Sequence, residues 1–355
     1  HGVHRRQRQM CIRDRRIIRG QWEERIMKAL VYMGPEVLSF QDMPDPQLKR
    51  GEVLIKVAGV GICGSDMHAF LGHDERRPAP LILGHEVAGT IAQGPEAGRR
   101  VTVNPLVSCG TCRACQEGRD NLCPDRQIIS MPPRQGGFAD YISMPLENLV
   151  TVPDGFSLLA ASLAEPIACG WHAVRLARKA LHTAPEQARA LVLGGGAIGV
   201  GSALCLQAQG ISNVTLVEPN DLRRTYLADK LPVTVLHPDG LAETEPFELV
   251  IDGVGFAQTR ASASQVVRPG GVIMHIGLGS SEGGLDIRRA TLQELSFIGT
   301  YTYTAVDFRA TAAAMFAGQL GPLDWFETRA LSAGAQAFHD IRKGAIRDPK
   351  IVLKP

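Results

Sequence analysis

Residues 190–199, ALVLGGGAIG, constrain the fold of this chain more than any other stretch. A short apolar run of strand character stops at Gly194, Gly196 and Gly199, spaced G-x-G-x-x-G, and a helix-like segment follows at once. The first glycine permits a tight turn, the second lets a phosphate approach bare backbone, and the third lets helix and strand pack closely. Ala197 and Ile198 open the helix, whose positive end is a seat for a pyrophosphate. The motif alone is weak, but Glu218 ends the next strand 24 residues after Gly194, where a ribose-binding carboxylate belongs. Its charge would repel a 2′-phosphate and so favours NAD over NADP. Arg223 and Arg224 temper this, since either offers such a phosphate a partner or lies against the adenine. Asp221 has the character of a helix N-cap.

Around this motif, strands and helices alternate. Strand candidates at 190–193, 214–218, 233–237, 248–252, 272–277 and 295–300 are separated by helical stretches, which predicts an α/β fold with a doubly wound parallel sheet. The nicotinamide half is expected to meet backbone after the later strands, around Gly253-Val254 and Ile276, Gly277 and Leu278. Upstream the pattern differs. Short β-rich runs at 28–32, 52–60, 87–92 and 99–103, broken by Gly and Pro, predict a barrel-like β domain up to about residue 155. A helix-like stretch follows over Leu158–Arg178, interrupted near Glu165-Pro166 and Gly170. The closing KIVLKP is another strand, expected to return to the first domain. A length of 355 residues suits two domains: 27–172 together with 319–355, and 173–318.

Residues 1–26 read as a non-native or disordered leader. They start with His and hold eight Arg against Asp14, Glu23 and Glu24, a net of +5, which leaves −3 for the rest of a chain of formal charge +2. Met27, opening MKALVY, looks like the true start. The body offers no electrostatic case for nucleic acid or an anionic membrane surface, and no apolar run nears the roughly 18 residues of a membrane span.

Four of the eight cysteines, Cys109, Cys112, Cys115 and Cys123, follow C-x2-C-x2-C-x7-C. Four thiolates on one short loop can close a tetrahedron around Zn2+ and leave no position for substrate, which predicts a structural zinc site; an iron–sulfur cluster is the alternative, and nothing else in the sequence suggests electron transfer. With no secretory signal, a reducing cytoplasm is the expected compartment. A second set is scattered: GICGSDMH (Gly61–His68), GHE (Gly84–Glu86) and AEP (Ala164–Pro166). Singly, a buried Cys63 or a core His85 is unremarkable in function. Together they supply Cys, His and two carboxylates, a donor set suited to an open zinc site, though spacing alone cannot bring them together.

In that order, with GGF (Gly136–Phe138) and the glycine fingerprint, these motifs resemble the zinc-containing medium-chain alcohol and polyol dehydrogenases, nearest the sorbitol, L-idonate, butanediol and threonine dehydrogenase groups. The resemblance runs from about Met27 to Pro355. It implies a GroES-like β-rich catalytic domain beside a Rossmann domain, and zinc-dependent, NAD-linked oxidation of a secondary alcohol. It makes Cys63, His85 and Glu86 ligands of a catalytic zinc, with Glu165 binding directly or through a water, so that each chain holds two zinc ions. Cys169, one turn beyond Glu165, is an outside candidate. Ser65 and His68 match a proton relay, and Asp66 a group that orients the metal-binding loop. Two rivals are a zinc-free NADPH reductase of the same superfamily and an inactive zinc- and nucleotide-binding redox sensor. The GHE and four-Cys motifs oppose the first, and Ser65 and His68 the second.

For the substrate, Tyr301-Thr302-Tyr303 stands where sorbitol-type enzymes carry Phe-Arg-Tyr, and the missing Arg counts against sorbitol. A small polar secondary alcohol or diol is expected, with a sugar acid or threonine close behind. His73, Asp74, Arg76 and Arg77 offer a polar loop near the cleft, and Phe70 and Trp171 a pocket lining. The resemblance further implies a homodimer or homotetramer, paired through about Leu295–Thr300.

Overall fold

The computed structural model describes residues 26–355; the reading of the preceding segment as a non-native or disordered leader lies outside the described residues. Ile26, grouped by sequence with the leader, pairs with Pro44 in the first hairpin.

The strands in chain order are β1 Ile26–Gly34, β2 Val37–Pro44, β3 Glu52–Gly61, β4 Leu81–Ile82, β5 Glu86–Gln93, β6 Arg100–Val103, β7 Leu106–Val107, β8 Gln127–Ile128, β9 Tyr141–Pro145 and β10 Leu149–Thr151. Then come β11 Arg189–Leu193, β12 Asn213–Val217, β13 Thr234–Leu236, β14 Phe247–Asp252, β15 Val267–His275 and β16 Ser296–Gly299, and last β17 Phe326–Ala330 and β18 Lys350–Lys354.

β11 to β16 form one parallel sheet in the order β13-β12-β11-β14-β15-β16. Its central strands are apolar on both faces because both are covered. Ala190 and Val192 face one core cluster while Leu191 and Leu193 face the other. The order reverses between β11 and β14, and the carboxyl ends at that point frame the crevice where such sheets take ligands. All six strand candidates are found, within a residue or two at most ends. β15 is the exception, beginning at Val267, well ahead of its candidate.

The other strands build the β-rich part: a sheet β2-β1-β4, a pair β7-β8, and a sheet β10-β6-β5-β3-β18-β17 in which β9 also pairs with β3. The closing strand β18 sits antiparallel against the end of β3, with Val352 opposite Gly61. This returns the last residues of the chain to the region around Cys63.

Two local expectations are corrected. The helix after residue 158 is not broken at Glu165-Pro166 or Gly170; a short helix Leu158–Ala161 ends and a second runs unbroken over Ala164–Ala180. Pro166 lies in its first turn, where a missing N–H costs nothing. Gly170 is there for packing, since a Cβ would lie 2.8 Å from the Ser202 backbone of the glycine-loop helix Ala197–Ala208. The cap of the helix Asp221–Lys230 is Asn220, whose side chain accepts from Arg223 N, and Asp221 is its first residue.

Candidate active site

Three segments meet at the carboxyl end of β3. After Gly61 the chain runs through Ile62 to Cys63, the N-cap of the helix Gly64–Phe70, while Glu86 opens the neighbouring β5 with His85 just before it, Glu86 lying opposite Gly61 in register. The thiol, imidazole and carboxylate of Cys63, His85 and Glu86 offer donor atoms within 4.8 Å of one another. Gly61 makes the room: a Cβ there would lie 1.9 Å from Glu86 Oε2. Gly84 turns the loop with φ +91° and lets it rest on the Phe138 ring, which a Cβ would meet at 2.6 Å. The GGF segment is thus the floor beneath GHE.

Asp66 staples the two ligand-bearing loops together. Fully buried, its carboxylate accepts from Cys63 N at 3.0 Å and Gly84 N at 3.2 Å, and Oδ1 lies 3.4 Å from His85 Nδ1. With Asp66 and the Ser130 hydroxyl (3.4 Å) on Nδ1, the imidazole has Nε2 free for a cation. Burial alone would lower the His85 pKa, but Asp66 and Cys63 outweigh it and hold it well above the ordinary histidine value.

Lys350, at the start of β18, is buried and donates to Glu86 Oε1 at 2.6 Å and to Ile62 O at 2.8 Å. Glu86 Oε2 is buried with no hydrogen-bond partner among the described residues. Glu165 lies outside the three-donor cluster, its Oε1 accepting from the Tyr303 hydroxyl at 2.8 Å. Burial raises its pKa, and Glu86 nearby adds to this. Cys169 is buried beside these groups and its thiol pKa is pushed well up by burial, so it packs and stays protonated.

A cleft of about 250 Å³ joins this cluster to the glycine loop, with Cys63, Gly64, Glu86 and Lys350 on one side and Gly196, Ala197, Ile198, Gly253 and Arg223 on the other. Two glycines of the fingerprint are required by the chain itself. Gly194 has φ +96°, and at Gly199 a Cβ would strike Gly194 O at 1.7 Å. Gly196 has an ordinary extended backbone and open space where a Cβ would go, so nothing within the chain requires it to be bare. Glu218 is buried at the head of the crevice, accepting from Gly195 N (2.9 Å) and Asn220 N (2.8 Å). Arg223 donates to Ile346 O at 3.0 Å and lies 3.8 Å from Glu218. Val254 packs against Gly194, Gly277 packs on the backbone of residues 254–255, Ile276 is half-buried and Leu278 is exposed.

Known proteins resemble this chain in both sequence and fold. Residues 49–154 match the alcohol dehydrogenase GroES-like domain. The chain is 32% identical over 311 residues to an L-galactonate-5-dehydrogenase of Escherichia coli (strain K12), covering 83% of this chain and 88% of that protein. It is 33% identical over 297 residues to a sorbitol dehydrogenase of Bacillus subtilis (strain 168), covering 78% and 82%. Among solved structures, a cobalt- and zinc-bound thermostable alcohol dehydrogenase of Pyrobaculum aerophilum superposes with a TM-score of 0.83 at 25% identity, covering 93% of this chain and 100% of that one. The chain belongs to the zinc-dependent medium-chain polyol dehydrogenase family. It is an alcohol dehydrogenase that uses zinc and a nicotinamide cofactor.

The residues of this dehydrogenase fit both groups. A thiolate, an imidazole with one free nitrogen and a carboxylate with an unpartnered oxygen make a three-donor site that leaves room for a further ligand. The bare Gly196 at a helix N-terminus leaves space for a phosphate. In the second cluster, Cys109, Cys112, Cys115 and Cys123 also lie within 4.8 Å of one another. The N–H groups of Thr111 and Cys112 lower the Cys109 thiol to about 6, whereas burial and its sulfur neighbours push Cys115 to about 12. A cation bound among them would favour the ionised form of all four.

Ser65 and His68 share one face of the helix Gly64–Phe70, but no hydrogen bond joins them; Arg77 donates to Ser65 O at 3.0 Å and lies 3.4 Å from its hydroxyl. In the loop that carries His73, Asp74, Arg76 and Arg77, several polar groups are engaged within the protein. Arg77 is buried on Ser130 O and Ser65 O, and Asp74 is held by Arg76 and Arg77. Phe70 packs against Phe338 in the β-domain core and Trp171 against the nucleotide-domain core, so neither lines the cleft. Lys350 is one site residue that sequence reasoning missed, with Ser130 and the Tyr303 contact to Glu165. Its strand places it on the same face as Val352 and the exposed Lys354, and nothing local marks it as the partner of Glu86.

Proposed function

We propose that this dehydrogenase oxidises a secondary hydroxyl of an acyclic polyol or sugar acid to a ketone with NAD, using one zinc at Cys63, His85 and Glu86 and a second in the four-cysteine lobe. The observation that carries the reading is the convergence of those three donors, from segments remote in sequence, with Cys63 and Glu86 on the wall of the cleft that the glycine loop closes. Zinc there supplies a Lewis acid that eases loss of the hydroxyl proton, and NAD supplies the hydride acceptor. The protein does the rest. Asp66 orients His85, Lys350 holds one oxygen of Glu86 so that the other faces the cation, and Glu165 stands by as a further ligand, direct or through water. Ser65 and His68 are the residues we assign to carry the released proton outward: the Ser65 hydroxyl would accept it while giving up its own, and His68, not directly bonded to Ser65, would be the outer base.

Glu218 supports NAD over NADP. Both its oxygens are already fixed by backbone N–H groups, so the carboxylate stays in place to accept from ribose hydroxyls and repels a 2′-phosphate. The named relatives act on galactonate and sorbitol, which favours a polyhydroxylated substrate over a simple diol or threonine. Two further readings follow from chemistry. Free thiolate ligands need a reducing compartment, for which we propose the cytoplasm; among the described residues no helix is long and apolar enough to cross a membrane. The chain pairs with a second copy through β16, an edge strand with Phe297 partly exposed and Leu278, Ile287 and Leu292 exposed nearby.

The test is a screen of polyols, sugar acids, diols and hydroxy amino acids, following NADH absorbance with NAD and NADP in parallel. Turnover of a polyol or sugar acid with NAD, abolished by a chelator, is expected. Turnover that prefers NADP or survives complete metal removal contradicts the proposal.

A further inference from the structure

The four-cysteine lobe grips the segment that carries Tyr303, and that grip spans the two halves of the molecule. The short turn Asp120–Leu122 lies inside the loop between Cys115 and Cys123. From it, the buried Asn121 donates through Nδ2 to Tyr301 O at 2.7 Å, and Asp120 Oδ2 accepts from Ala305 N at 2.9 Å. Just beyond Cys123, Arg126 lays its guanidinium over the Tyr301 ring, 4.8 Å from the centroid, with Nε 3.3 Å from the hydroxyl. It also donates to Cys123 O at 2.8 Å, so the same side chain touches the cysteine loop and the gripped segment.

Residues 301–305 leave the edge strand β16 of the nucleotide-binding sheet. Between the two gripped points sits Tyr303, fully buried, its hydroxyl donating to Glu165 Oε1. On the far side, Thr304 and Asp307 begin the helix Ala305–Phe316, and Asp307 is held by His172 and Arg175 from the helix that carries Glu165. Tyr303 is therefore anchored from the lobe before it and from the Glu165 helix after it.

We propose that Asn121 and Asp120 are positioning residues: through residues 301–305 the cysteine lobe sets the Tyr303 hydroxyl, and with it the direction of the Glu165 carboxylate at the metal site. The inference deepens the proposed function and rests on it. It gives the lobe a part in shaping the active site, in addition to stiffening its own loop.

The test is a double-mutant cycle of Asn121→Ala and Tyr303→Phe in the whole, metal-loaded enzyme, with cobalt substituted at the catalytic site as a probe. Each single variant should retain the lobe metal and lower kcat/KM by roughly ten-fold, the size of effect expected for a hydrogen bond to a charged group. Each should shift the cobalt visible band in the same sense. Because both act through one hydroxyl, the double variant should be no worse than the weaker single one. Losses that multiply, or an Asn121→Ala enzyme whose cobalt band is that of the parent, overturn the clamp. Should Asn121→Ala fail to fold, Asp120→Ala enters the same cycle, read by amide exchange of residues 301–305 alongside the cobalt band. A parent enzyme that takes up no cobalt at Cys63, His85 and Glu86 fails the proposed function instead, which keeps the two failures apart.

Discussion

At the scale of single residues, the site depends as much on what is absent as on what is present. Gly61 has no side chain because Glu86 occupies that volume, and Gly196 has none although the chain leaves the space open. The first makes a sharp prediction. Gly61→Ala puts a Cβ 1.9 Å from Glu86 Oε2, so the carboxylate must turn away from Cys63 and His85. Affinity for the catalytic metal should fall by roughly 10–100-fold, the range seen when a ligand's orientation is lost, while the lobe keeps its own ion. Metal titration with a chelator reads both sites, and unchanged affinity at the first would contradict the account. Much of this residue-level picture was legible. The thiol, imidazole and carboxylate are named by GICGSDMH and GHE, and the four thiolates by their spacing, because metal chemistry narrows residue choice sharply. Lys350, Ser130 and the Tyr303 contact to Glu165 were not. Each works through a partner brought in by the fold, Lys350 from 264 residues away, and a lysine, serine or tyrosine has many other uses.

At the scale of elements, the helix Ala164–Ala180 ties the metal site to the nucleotide site. It carries Glu165 in its first turn and packs through Gly170 against the glycine-loop helix. Its middle binds the helix Ala305–Phe316 through a buried network of His172, Arg175 and Asp307. Burial alone would raise the Asp307 pKa, yet His172, Arg175 and Thr304 hold it well below the usual carboxylate range. The folded value is depressed, so the stabilisation is fully present above the unfolded value of about 3.9 and is lost as pH falls from there towards the folded pKa. Asp307→Asn should therefore cost about 2–3 kcal/mol near neutrality, and its Tm gap to the parent should close as pH falls below about 4. A gap that is constant from pH 7 to pH 3 would refute the linkage. The strand and helix order was readable because both faces of the parallel sheet are buried and the periods differ. The break in the helix was misplaced because a proline in a first turn and a glycine at a helix crossing look, in sequence, like breakers.

For the whole molecule, the β-rich sheet that holds β3, β5 and β18 meets the parallel sheet along a cleft, and the chain closes that arrangement by returning β18 to β3. The edge strand β16 is left with apolar side chains towards solvent, and light scattering should find a dimer or tetramer, a strict monomer being contrary to the proposal. The proposed chemistry rests on one ion at Cys63, His85 and Glu86, and the ion proposed for the lobe is a separate one. Elemental analysis of the purified chain and its Cys63→Ala variant separates the two. The account predicts about two zinc ions per chain in the parent and about one in the variant, with turnover reduced by at least roughly a thousand-fold. A variant that still holds two zinc ions, or oxidises alcohol at the parent's rate, would contradict it.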